Sequence, residues 1–527
     1  MASQLFARKP LSLLLEEMKG ENRLRRVLGP WHLTALGVGA IIGTGIFVLT
    51  GQAAHDKAGP ALTLSFVAAG IACVFAALCY AEFASMAPVA GSAYTYAYAT
   101  LGELFAWIIG WDLILEYAVA SMTVAHGWSK NFQDILAIAG IHLPQALRDA
   151  PFNYDPATGS MIATGSWFDL PAMVIAALVT WVLVKGIRES ASVNTAIVIL
   201  KVAVVFFVII VGAFYVNPDN WRPFAPYGYT GLSFFGQTVA GSTDAGGHPV
   251  GVLAGAAIIF FAYIGFDSVS THAEEAKVPQ KDVPFGIIVS LVVCTILYIL
   301  VAGVLTGMVP TPQINIETPV SDAFRQAGLP WARFLVSAGA VAGITSVLLV
   351  MMLSQPRVWL AMARDGLVPP SFFGAVHEKF RTPWKATILT GVLVALGGGL
   401  LPLRVLADLT NIGTLFAFVV VCAAVMIMRR KAPDAERPFR APLGMFTPVA
   451  GIVTCLILMF SLAPENWLRL FVWLLIGLGI YFLYSRHHSV MKHYLARELA
   501  ESGVSGRVGD VRDHQARIDE DRKPDKP

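Results

Sequence analysis

Four glycines fall within nine residues of one apolar stretch near the start of the chain, Gly37-Val38-Gly39-Ala40-Ile41-Ile42-Gly43-Thr44-Gly45-Ile46-Phe47. Glycine destabilises an ordinary helix interior by about 0.5–1 kcal/mol relative to alanine, so the cluster marks a place where a helix stops and restarts. With the chain unwound around Ile42-Gly43, the second half-helix begins near Thr44. Its free N–H groups and positive dipole end suit a carboxylate. The first half ends in exposed carbonyls near Ile41 and Ile42, which accept bonds from an ammonium group. Ile41, Ile42, Gly43, Thr44 and Gly45 thus offer both halves of a site for a zwitterion. Close helix packing of the GxxxG kind is the other reading of the same glycines.

A second interruption, Phe260-Phe261-Ala262-Tyr263-Ile264-Gly265-Phe266-Asp267, places Phe261, Ala262 and Ile264 on an opposing wall. Phe260, Phe261, Tyr263 and Phe266 supply material for an aromatic lid or for core packing. Asp267 is a carboxylate at membrane depth, which is expensive without a partner or a wet cavity. It has three readings: a cap on the restarting half-helix, an attractor of cations, or a proton relay. Lys201 lies mid-span in Val198-Ile199-Leu200-Lys201-Val202-Ala203-Val204, too far from a helix end to snorkel. It points into the bundle, either as a proton-coupling element or as a permanent cation on helix-end carbonyls. Glu116 contacts a cationic substrate, joins a proton path, or braces two helices. Glu82, near a helix end, reads as a gate or structural contact, and Thr345 and Ser346 as hydroxyls that bond their own helix or face Lys201.

These residues need elements that cross a bilayer. The 527-residue chain is 56% hydrophobic and 14% charged, well below the roughly 25% charged residues of a soluble domain. About twelve stretches approach the ~20 apolar residues needed to cross the hydrocarbon, near 31–52, 60–86, 102–136, 167–186, 190–215, 250–273, 285–309, 332–364, 384–402, 404–429, 446–463 and 466–485. The third and eighth exceed one upright crossing and are expected to tilt or project. Basic residues gather in the N-terminal arm and the even-numbered loops, which puts both termini in the cytoplasm. Leu11–Leu28 reads as an amphipathic surface helix, Pro144–Gly165 as an external loop, and the region after Arg486 as a charged tail. Two interrupted helices at matching places in two halves point to a transporter with its site at the midplane.

Several classes are excluded. There is no GxxxxGK[ST] loop for ATP, no HExxH, and no nucleophile–base set, so no enzymatic activity is expected. The five cysteines lie in apolar runs without metal-ligand spacing. No metal or cofactor is expected, and the basic runs border spans rather than forming a nucleic-acid surface. Met1–Lys19 lacks the apolar core of a signal peptide.

Five motifs carry a resemblance: Leu36–Gly51, Cys79–Tyr98, Tyr263–Pro284, Pro356–Leu367 and Asn411–Phe418. With them the chain, from about Leu11 to about Tyr484, resembles the amino acid–polyamine–organocation superfamily, specifically a bacterial member of the cationic amino acid transporter family. The resemblance implies an all-α membrane protein with a 5+5 inverted repeat and discontinuous helices one and six. The parts are an N-terminal segment (1–30), two five-helix repeats (31–215 and 250–429), two added spans (446–485) and a charged tail (486–527). It places the substrate backbone on Ile41, Thr44 and Gly45, with Phe261 and Ile264 opposite. It sets Lys201 where sodium-coupled relatives hold an ion, with Gly39, Ile42 and Ser346 as neighbours. Gly241–Val250 departs from the family as an insertion. The expectation is an importer of amino acids across the cytoplasmic membrane by proton symport and alternating access. A uniporter and a non-transporting amino acid sensor are the alternatives. Bacterial members extend to neutral amino acids, so the substrate side chain is left open between cationic and neutral.

Overall fold

The computed structural model describes residues 5–9, 28–86, 92–155, 160–186, 191–235, 237–244 and 247–492. Most of the expected amphipathic segment 11–28 and nearly all of the charged tail lie outside the described residues. Within them the chain is overwhelmingly helical. Seven helices are long and apolar enough to cross a membrane, and four shorter apolar helices accompany them. The first of the seven, Pro30–Met86, runs for 57 residues and holds two crossings, which brings the number of spans to the expected twelve.

Helix α1, Pro30–Ile41, starts with proline at its first position, where the missing N–H costs nothing. It stops at Ile42, whose ψ of 103° is extended. The chain restarts at Thr44 and continues through π turns at Gly45–Leu49 and Ala54–Ala58. Next come α2 (Leu62–Met86), α3 (Ser92–Thr100), α4 (Glu103–Ile138), α5 (Leu170–Lys185) and α6 (Ala191–Ala213). The second half opens with α7, Val252–Ile259, which gives way to a 3-10 turn at Phe260–Tyr263 and an extended Ile264. It resumes only as the one-turn α8, Ser268–Thr271. The second interruption therefore covers Phe260–Asp267, the stretch expected for it. Then follow α9 (Pro279–Met308), α10 (Pro319–Gln326), α11 (Pro330–Arg364), α12 (Trp384–Leu400), α13 (Leu403–Lys431), α14 (Phe446–Phe460) and α15 (Pro464–Ile480). Helices α4 and α11, at 36 and 35 residues, span about 54 and 52 Å at ~1.5 Å per residue. That is well beyond ~30 Å of hydrocarbon, so both tilt or project as expected.

Helices at matching positions in the two halves pack against each other: α2 with α9, α4 with α11, and α5 with α12. Strands are confined to short hairpins outside the spans. One pairs β1 (Phe152–Asp155) with β2 (Ser160–Ala163) inside the expected external loop. A second pairs β3 (Leu232–Phe234) with β4 (Gln237–Ala240). The departing loop Gly241–Val250 forms β5 (Ser242–Thr243) against β6 (Pro249–Val250). It docks on Lys57, whose Nζ donates to Pro249 O at 3.1 Å and whose carbonyl accepts from Gly251 N at 2.8 Å.

Candidate functional site

The two interruptions meet each other. A methyl group on Gly45 would lie 2.3 Å from Ala262 Cα, and one on Gly265 would lie 2.8 Å from Ala40 O. Each break therefore uses a glycine to let the other's backbone approach. Gly265 also has φ = +123°, a conformation that side chains disfavour. Tyr298 of α9 ties the two together, its hydroxyl shared between Ile41 O at 2.8 Å and Ala262 O at 3.0 Å. Asn411 of α13 donates to Ala257 O (2.8 Å) and Ile258 O (3.1 Å), carbonyls freed where α7 ends. Backbone groups loosened at membrane depth must find such partners.

On the carbonyl side of the first break, Lys201 is fully buried and its Nζ donates to Gly39 O at 2.6 Å and Ile42 O at 3.1 Å. Its stem lies against Gly343 of α11, where an added methyl would be 3.3 Å from Lys201 Cγ. The Ser346 hydroxyl donates instead to Gly343 O at 3.3 Å, and Thr345 to Val341 O at 2.7 Å. Both hydroxyls thus bond their own helix, and no hydrogen bond joins Ser346 to Lys201 among the described residues. The ammonium is held by two carbonyls at the negative end of α1, which is the geometry a cation needs there.

On the N–H side, Thr44, Gly45 and Ile46 precede the first bond of the restarted helix, Phe47 N to Gly43 O at 3.3 Å. Thr44 Oγ1 is buried and has no hydrogen-bond partner among the described residues. Opposite lie Phe261 (6% exposed), Ala262 (0%) and Ile264 (4%). The other aromatics belong to the core. Phe260 and Phe266 pack on Phe418 at 5.7 and 5.0 Å, and the Tyr263 hydroxyl donates to Phe66 O at 2.7 Å. Three of the four rings are therefore core packing.

Asp267 is anchored from both sides. Its Oδ1 accepts from Gly265 N at 3.1 Å and its Oδ2 from the Tyr117 hydroxyl at 3.0 Å. The carboxylate holds the second break in shape and makes no side-chain cap on α8. Glu116 is 2% exposed and has no basic partner among the described residues. Glu82 accepts from Arg429 Nε at 2.9 Å and from Ala441 N at 2.9 Å, which fastens the end of α2 to the segment after α13. Sequence reasoning missed Tyr298, Asn411 and Tyr117. Only Asn411 stood inside a quoted motif, as the one amide of its span.

One histidine–aspartate group, His126, Asp149 and Asp169, has metal-like spacing. Asp149 is already paired with Lys130 at 2.8 Å, and Asp169 accepts from Ser129 at 2.5 Å and Ala172 N at 3.1 Å. This network joins the loop between α4 and α5 to both helices.

The sequence profile described as amino acid permease matches residues 28–485. The chain is 50% identical to the branched-chain amino acid permease BcaP of Bacillus subtilis, over 93% of this chain and 99% of that protein. It is 46% identical to the methylthioribose transporter of the same organism, over 93% and 99% respectively. It is also 38% identical to the vacuolar cationic amino acid transporter 4 of Arabidopsis thaliana, over 82% of this chain and 68% of that one. A profile spanning both broken helices and every span between them, together with relatives matched over nearly their whole length, shows that this multi-pass membrane protein is a transporter of the amino acid permease family, within the amino acid–polyamine–organocation superfamily.

Proposed function

We propose that this protein imports amino acids across the cytoplasmic membrane by proton symport and alternating access, with both termini in the cytoplasm. Residues 31–215 and 250–429 act as the two five-helix repeats, and 446–485 add two spans. The substrate carboxylate is received by the N–H groups at Thr44 and Gly45. Its amine meets the carbonyls around Ile41 and Ile42, and its side chain meets Phe261, Ala262 and Ile264. The observation that carries this reading is the Lys201 ammonium on Gly39 O and Ile42 O. A positive charge there holds the end of α1 in the geometry that receives substrate. Loss of the proton releases those carbonyls and loosens the site. Coupling follows when proton and substrate favour the same state.

The apolar wall, together with the likeness to a permease named for branched-chain amino acids, favours a neutral aliphatic side chain. Uptake of labelled leucine, alanine and arginine into proteoliposomes, with and without an inward proton gradient, tests the reading in wild type and Lys201→Ala. Gradient-driven accumulation that the variant loses is the expected result. Equilibration that ignores the gradient in the wild type would make the protein a uniporter with a structural Lys201, and saturable binding without flux would make it a sensor.

A further inference from the structure

The zwitterion site leaves two carboxyls unexplained. Asp112 and Glu116 stand four residues apart on α4, one above the other on the same face. They are 0% and 2% exposed, and among the described residues neither carboxyl meets a basic group; the Thr414 hydroxyl alone comes within reach of Glu116. The groups around them are Asp267 from the second break, Tyr80 from α2, Gly413 and Thr414 from α13, and Gln355 from α11. None is basic, and several of the nearby hydrogens have other acceptors. Thr414 donates to Thr410 O at 3.1 Å, Gln355 Nε2 to Ile114 O at 3.1 Å, and Tyr117 to Asp267 at 3.0 Å. Asp267 differs in having two donors of its own.

Two carboxylates buried four residues apart, with no counter-charge beside them, are expensive at membrane depth. Something positive must accompany them. The space beside Asp112 is small: a methyl on Gly413 would come within 3.2 Å of Asp112 Oδ1, so the α13 backbone closes over the carboxyl. Between Asp112 and α13 that leaves no room for an ammonium group or a hydrated metal ion, whereas a proton on the carboxyl fits.

We infer that Asp112 and Glu116 form a second proton-binding site, separate from Lys201, lodged between α4 and α13. Glu103 opens α4, and at ~1.5 Å per residue Asp112 lies about 13 Å and Glu116 about 20 Å along the helix from it. The pair therefore leads from the second break toward the N-terminal end of α4. With its proton, Glu116 presents an uncharged wall, which suits a neutral substrate side chain. That consequence rests on the amino acid transport reading; the presence of the proton does not.

Infrared spectra of the full-length protein in lipid bilayers at neutral pH test the site. The C=O stretch of a protonated carboxyl stands apart from that of a carboxylate and shifts down in D2O. The wild type is expected to show it, Asp112→Asn and Glu116→Gln each to weaken it, and the double variant to weaken it further. A wild type without the band, or a band that both variants leave unchanged, overturns the inference. If Asp112→Asn does not fold, Asp112→Glu replaces it. That variant keeps the proton and displaces the band, and an undisplaced band counts against the site. A failure of the Lys201 uptake test overturns the coupling mechanism alone, because the infrared bands do not depend on transport.

Discussion

Gly45→Ala is the sharpest probe of the crossing between the two broken helices. Its added methyl would lie 2.3 Å from Ala262 Cα, 2.5 Å from Ala262 Cβ and 3.0 Å from Ala262 N. Non-bonded carbons settle at about 3.5–4.0 Å, so the two backbones would have to part by more than about 1 Å. Overpacking of this kind costs roughly 1–3 kcal/mol, which is roughly 5- to 150-fold in any equilibrium that needs the crossing closed. Local propensity acts in the opposite direction, since alanine in a helix gains about 0.5–1 kcal/mol over glycine. The sign of the effect therefore decides between them. The assay is substrate binding by titration calorimetry on the purified protein, paired with uptake in proteoliposomes and a circular-dichroism melt. Gly45→Ala should bind 5- to 150-fold more weakly, within the overpacking range above, while staying helical. Because the nearest atom is backbone Cα, adding Ala262→Gly should not restore binding. Gly479→Ala in α15, where an added methyl meets nothing within 4 Å, should bind and melt as wild type or slightly better. Wild-type affinity in Gly45→Ala, or rescue by Ala262→Gly, would refute the backbone contact.

Two further outcomes can be checked directly. Tyr298→Phe removes the one hydroxyl shared between Ile41 O and Ala262 O and leaves buried carbonyls short of a donor, at a cost of about 1–3 kcal/mol. Weaker substrate binding with an unchanged helical spectrum is expected, and unaltered affinity would show that the bridge is dispensable. Outside the membrane, Asp149 is a half-buried carboxylate. Burial works against its charge, but Lys130 and His126 outweigh burial and hold it below the usual carboxylate range. Its lowered folded-state value means a stabilisation fully present above about pH 3.9, the ordinary aspartate value, and lost as pH falls through the folded value. Tryptophan-fluorescence melts should therefore lose less stability on acidification in Asp149→Asn than in the wild type, and parallel pH curves would remove Asp149 from the acid response.

Hydropathy and local backbone freedom are properties of neighbouring residues, so the sequence by itself determined the spans and the place of both breaks. The cluster from Gly37 to Gly45 marks the first, and Gly265 marks the second. Lys201, stranded in mid-span, could only turn inward, and its length made helix-end carbonyls a natural destination. Which carbonyls it reaches depends on how α6 lies against α1, from which it is separated by more than 150 residues of chain. The same holds for Tyr298 between the two breaks, Asn411 under α7, and Tyr117 on Asp267. Each is an ordinary aromatic or amide in an apolar helix until packing brings a freed backbone group or a carboxylate within reach. Ser346 shows the reverse case: the hydroxyl stands one turn from the glycine that touches Lys201, yet its own helix offers a nearer acceptor. The tertiary structure alone decided that the two breaks touch through Gly45 and Gly265, and that Asp112 and Glu116 meet no basic partner among the described residues. A donor's presence or absence is set by the helices that close around a residue, and no local pattern of side chains encodes it.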